Sequence, residues 1–205
     1  MTTREVRTPL GPARVHCVEP PADAVGTLVL GHGAGGGVHS ADLRAVAAAA
    51  AGGGWRVLLV EQPWRVAGKR IAPAPARLDE GWTAVLAEVR DLRTGPMVLG
   101  GRSAGARVAC RTASAQGAAG VLALAFPLHP PGKPEKSRAA ELRCVDVPLV
   151  VEQGETDAFG RPAEVEAALS GHAGVVRAVP GDHALKKDPA AVATAAVEWL
   201  RSLGV

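Results

Sequence analysis

The chain has 205 residues, 47% of them hydrophobic, and a formal net charge of +3. That length fits one domain with a sizeable buried core, expected over residues 1–205 with a lead-in at 1–26 and the core at 27–205. So small a charge excess, without a basic stripe or arm, gives no footing for nucleic acid, and no apolar run is long enough to cross a bilayer.

Residues 4–18 read as two short strands around Leu10-Gly11-Pro12, a hairpin turn. Residues 27–30 form a short, continuously apolar strand of the kind buried on both faces of a parallel sheet. A glycine-rich loop follows, residues 31–37, and then a helix over 41–51 with Ser40 as its cap and Gly52-Gly53-Gly54 as its stop. A second buried strand covers 55–60 and ends at Glu61. Residues 62–76, with three prolines and the pair Lys69-Arg70, read as a surface loop. A helical period runs over 78–92. A strand at 96–99 leads into a third helical pattern from Ala106, ending near Gly117. Further strands are expected at 121–126, 147–151 and 175–179, and helices at 162–169 and 189–203. Alternating strand and helix argues for a mostly parallel, doubly wound α/β sheet.

Tyrosine is absent and aromatics are only 3%, so alanine, valine and leucine must fill the core. The three cysteines, Cys17, Cys110 and Cys144, are far apart and unpaired in spacing, which suggests neither a disulfide framework nor a zinc site. The first ten residues lack an apolar signal core. A soluble, cytoplasmic protein without metal or organic cofactor is expected, and self-association is left open.

Chemistry concentrates at Gly101-Arg102-Ser103-Ala104-Gly105. Placed between a strand and a helix, G-x-S-x-G is a sharp turn that pushes the serine hydroxyl clear of the backbone. Ligands of open α/β sheets sit beyond the carboxyl ends of the strands. Asp157 and His183 both follow strands and so share an edge with Ser103, whereas Asp146 and His172 precede theirs. The order Ser103, Asp157, His183 is that of a serine hydrolase on this architecture, with His183 as base and Asp157 as its orienting acid. Glu155 is the competing acid. An oxyanion hole requires two backbone donors, one from Ala104 and one from Gly33 or Ala34 in the loop after the 27–30 strand. That same loop, Gly31-His32-Gly33-Ala34-Gly35-Gly36, also fits the dinucleotide fingerprint G-x-G-x-x-G, with Glu61 as the ribose acid. Against this, the following helix starts late, and the reading leaves Ser103, Asp157 and His183 unused.

These segments, with Phe126-Pro127-Leu128-His129-Pro130-Pro131-Gly132-Lys133-Pro134, Gln153-Gly154 and Gly181-Asp182-His183, resemble the α/β-hydrolase superfamily. The likeness is to small dienelactone-hydrolase-like serine hydrolases, in particular a compact bacterial group. The resemblance implies the same triad and animal relatives that include a testis-expressed protein and a subunit of a histone acetyltransferase complex. It also implies that some members serve as scaffolds, so a non-catalytic interaction protein is the alternative to an enzyme.

About a dozen residues separate the strand ending near Phe126 from Glu141, too few for a lid of several helices. A lidless site suits a small-molecule acyl substrate, an ester or lactone. Arg102 beside the nucleophile, and His129, Lys133, Lys136 and Arg138 in the loop, could form an anion-recognising mouth or be solvated and paired charges. Phe159 and Trp64 are pocket walls or core. Lys186-Lys187 reads as plain surface.

Overall fold

The computed structural model describes residues 1–204. Eight strands form one sheet: β1 (Thr2–Thr8), β2 (Gly11–Val18), β3 (Gly26–Gly31), β4 (Trp55–Glu61), β5 (Met97–Arg102), β6 (Gly120–Leu124), β7 (Leu149–Gly154) and β8 (Val175–Val179). Their spatial order is β1-β2-β4-β3-β5-β6-β7-β8. The β1–β2 hairpin pairs antiparallel to β4, and every other neighbouring pair is parallel. Strands β3, β6 and β7 are buried along their whole length because helices cover both faces of the sheet, and β7 carries the polar Glu152 and Gln153 into the interior with it. Edge strands β1 and β8 are largely exposed.

Alternating side chains divide the core in two. On one face Leu28, Leu30, Val57 and Val150 pack under α1 (Ala41–Gly52) and α7 (Pro189–Ser202). On the other, Val29, Leu99 and Val151 meet Trp82, Leu86 and Phe126 beneath four further helices. These are α3 (Pro75–Glu88), α4 (Ala104–Thr112), α5 (Ala139–Arg143) and α6 (Pro162–Ala168). Trp82 and Phe126 are fully buried and act as core volume.

The stretch expected to be a surface loop is partly helical and partly buried. Residues Pro63–Val66 form a short helix, α2, with Gln62, Pro63 and Trp64 buried. Proline reads as a loop former, yet Pro63 and Pro75 each sit in the first turn of a helix, where the missing N–H costs nothing. Accordingly α3 begins at Pro75 and ends at Glu88, and residues Arg90–Leu92 form a separate 3-10 turn. The helix after Ser103 stops at Thr112, with turns to Gly117, and the strand expected to reach Phe126 ends at Leu124 because Ala125 has φ 45°. Ser40 precedes α1 with extended dihedrals, but its side chain makes no capping bond. Between β6 and β7 the chain forms a 3-10 turn at Pro134–Lys136 and the five-residue α5, which the sequence did not signal; no lid covers the rim among the described residues. No helix there is long and apolar enough to cross a membrane.

Candidate active site

Strands β3 and β5 run side by side with Gly31 opposite Gly101. A Cβ on Gly101 or on Gly105 would land on the carbonyl oxygen of Gly31, so both positions must be bare for the turn to close against β3. Gly101 also has φ 150°, and Ser103 itself sits at φ 55°, ψ −110°. Such a backbone costs on the order of 1–3 kcal/mol and persists only where its surroundings hold it. Here the Ser103 N–H donates to Leu124 O at 2.9 Å, and its carbonyl accepts from the Arg107 N–H at 3.1 Å.

The hydroxyl so presented meets His183, whose Nε2 lies 2.9 Å from Ser103 Oγ. His183 Nδ1 is 2.8 Å from Asp157 Oδ2. Asp157 is buried and receives two more bonds, from the Phe159 N–H to Oδ1 (2.8 Å) and from Gln153 Nε2 to Oδ2 (2.9 Å). The Gln153 amide also reaches Gly160 O at 2.7 Å and Phe126 O at 3.2 Å, which ties the acid's loop to the loop after β6. Gln153 belonged to a motif shared with the family, yet nothing in the sequence marked its contact with Asp157. Glu155 is exposed and makes no side-chain bond to His183 among the described residues.

Three contacts fix the histidine loop. The Ala184 N–H donates to Asp182 Oδ1 and the Leu185 N–H to Asp182 O, a local turn that leads Leu185 into the core at φ 50°. The third is Arg102, a candidate either for an anion-recognising mouth or for pairing with a nearby carboxylate. The structure favours the pairing: its guanidinium donates to His183 O (Nη2, 3.0 Å) and lies 3.4 Å from the fully buried Asp42 of α1. A buried carboxylate attracts the nearest cation strongly, and that draws Arg102 inward, toward Asp42.

The loop after β3 lies over the same turn. A Cβ on Gly33 would come within 3.3 Å of Ser103 Cβ, and one on Gly36 within 3.3 Å of Arg102 Nη1. His32 is buried and fully engaged: Nε2 accepts from the Gln62 N–H (3.2 Å), which leaves Nδ1 to donate to Gly33 O (3.0 Å). Burial holds its pKa below the usual histidine value, in keeping with the neutral ring these bonds require. A trans peptide points its C=O and N–H in opposite directions, so the bond to Gly33 O turns the Ala34 N–H away from His32. Ala104, as the first residue of α4, has an N–H with no acceptor one turn earlier. The dinucleotide reading loses its parts here: α1 starts only at Ala41, the loop packs on Arg102, and Glu61 lies 3.8 Å from Arg14 and His16.

A cavity of about 260 Å³ opens beside the hydroxyl, lined by Ser103, Ala104, Ala34, Phe159, Arg107 and Arg138 among others. Phe159 also lies against the His183 ring, centroids 4.2 Å apart. His129, expected at the mouth, is buried away from this cavity; its Nδ1 lies 3.0 Å from Pro130 O and its Nε2 3.2 Å from Glu164. Trp64 is buried against His32 and walls a neighbouring cavity. Asp146 and His172 line a separate cavity, as expected of the opposite edge, and Lys186 and Lys187 are exposed. Among the described residues no group of three His, Cys, Asp or Glu could hold a metal ion.

The whole molecule is similar to an alpha-beta serine hydrolase homologue from Coxiella burnetii, with TM-score 0.81, 19% identity and 97% of each chain covered. It is similar to an a/b serine hydrolase without lid from Xanthomonas campestris, with TM-score 0.78, 23% identity, 98% of this chain and 94% of that one. Est1E from Butyrivibrio proteoclasticus matches with TM-score 0.81 and 13% identity over 98% of both chains. At these identities the likeness speaks to the fold. No curated protein matches the sequence. The sequence itself matches the alpha/beta hydrolase domain family over residues 24–202, and the chain belongs to that family.

Proposed function

We propose that the chain is a serine hydrolase that cleaves a small carboxylic ester or lactone through an acyl-enzyme on Ser103. The observation that carries this reading is the unbroken series Ser103–His183–Asp157, joined at 2.9 and 2.8 Å on a strained turn. A hydroxyl becomes a useful nucleophile when an imidazole removes its proton during attack. Nε2 of His183 takes that proton as Oγ bonds to the substrate carbonyl carbon. Asp157 holds the Nδ1–H tautomer and stabilises the imidazolium. The tetrahedral oxygen accepts from the N–H groups of Ala104 and Ala34. We prefer Ala34 to Gly33 because His32 fixes the orientation of the Gly33–Ala34 peptide. When the intermediate collapses, the alcohol leaves with the proton from Nε2. Water then attacks the acyl carbon with His183 again as base, which frees the acid and Ser103.

The rim without a lid suits small acyl groups, and three free thiols suit a reducing, cytoplasmic compartment. The test is turnover of 4-nitrophenyl acetate. A pre-steady-state burst is expected, with kcat lowered by about 10³-fold or more in Ser103→Ala. A folded wild-type protein whose rate matches that of Ser103→Ala would contradict the reading.

A further inference from the structure

The charges around the Ser103 cavity do not balance. Three guanidiniums, those of Arg107, Arg111 and Arg138, stand near two carboxylates, Glu141 and Asp79. Arg107 pairs with Glu141 (Nε to Oε2, 2.8 Å), and Arg111 divides itself between Asp79 and Glu141 at 2.8 Å each. Arg138 has no carboxylate within 4.0 Å among the described residues. Among the described residues its one side-chain bond is from Nη1 to Pro127 O, 2.7 Å, and the remaining donors have no partner there, where it lines the cavity with Ser103 and Phe159.

The backbone holds this cation in place. The Arg138 N–H donates to Leu128 O at 2.7 Å, and the next residue of that loop, His129, donates its N–H to Phe159 O at 3.0 Å. Partial burial and the neighbouring Arg107 both press against the positive charge of Arg138, and the more distant Glu141, already paired with Arg107 and Arg111, offsets them only in part. A guanidinium kept half-buried next to another cation, facing a cavity, is stabilised by any anion that enters.

We propose that Arg138 is a specificity-determining residue that binds a carboxylate carried by the substrate, so that the ester or lactone cleaved at Ser103 is itself an anion. This rests on the hydrolase reading for the chemistry, although anion binding by Arg138 can be measured without it. The loop arginine does what Arg102 cannot, because Arg102 is committed to Asp42 and His183.

The test compares 4-acetoxybenzoate with its neutral methyl ester. In wild type, kcat/KM should favour the anion. Arg138→Gln, which keeps a donor for Pro127 O, should lower the anion-to-neutral ratio by about 10–100-fold, mostly through KM, and Arg138→Lys should restore part of it. A ratio unchanged in Arg138→Gln overturns the proposal. Calorimetry with 4-acetoxybenzoate separates the two readings. Binding to Ser103→Ala that is lost in Ser103→Ala/Arg138→Gln supports the anion site even if neither ester is turned over, in which case only the hydrolase reading falls. No binding to Ser103→Ala overturns the anion site whatever the esterase result.

Discussion

At the rim, Asp157 is buried and receives three hydrogen bonds, from Phe159, Gln153 and His183. On the reverse face of β7, Glu152 is buried as deeply, and neither of its oxygens has a partner among the described residues. Burial alone disfavours a carboxylate, and it pushes the Glu152 pKa up to about 8, with Arg177 opposing and Glu198 adding to the rise. What separates the two buried acids is therefore the donors, not the depth: three reach Asp157 and none among the described residues reaches Glu152. Asp42 is the intermediate case: it has no hydrogen bond but a guanidinium 3.4 Å away.

Breaking the rim side of that contrast should have the largest effect. Asp157→Asn keeps the shape but turns one acceptor into an N–H donor, which favours the wrong His183 tautomer, and kcat for 4-nitrophenyl acetate should fall by about 10³–10⁴-fold with the fold intact. Removing the cation from the intermediate case comes next. Arg102→Met strands the Asp42 charge and frees His183 O, and urea unfolding should register a loss of about 4 kcal/mol.

The reverse face predicts a pH dependence. Between 4.5 and 8 the unfolded chain ionises Glu152 while the folded chain keeps it neutral, so the folded state binds more protons there. Its contribution is intact below the unfolded value and drains away as pH rises through 8. Wild type should therefore lose about 3 kcal/mol relative to Glu152→Gln between pH 5 and 8, read from paired denaturation curves. A constant difference between the two proteins across that range would mean that Glu152 is ionised in the fold. The smallest effect is expected in the oxyanion loop: His32→Ala releases the Gly33–Ala34 peptide and should lower kcat by about 10-fold while leaving labelling of Ser103 in place.

The strongest local constraints were the legible ones. Gly101 and Gly105 are required by contact with Gly31, and the order of Ser103, Asp157 and His183 after their strands follows from sheet topology. That Arg102 pairs with a carboxylate was open to the sequence, but which partners the arginines take was not legible, because those partners are distant in sequence. Arg102 is turned inward by Asp42 on α1, while Arg138 faces the cavity because Glu141 is already taken by Arg107 and Arg111. Helix α2 was missed for a different reason: Pro63 and Lys69-Arg70 look like loop chemistry, and only the burial of Trp64 shows why that segment folds inward. His129 has the composition of a mouth residue, but Glu164 on α6 holds it elsewhere.

The most direct test of the central claim is covalent. A fluorophosphonate reacts with a serine only where a neighbouring base activates it, so intact-mass and peptide analysis reads the triad itself. The account predicts a single adduct on Ser103, formed much more slowly in His183→Ala and absent in Ser103→Ala. A folded wild-type protein that takes no label, or takes it on another residue, would contradict it.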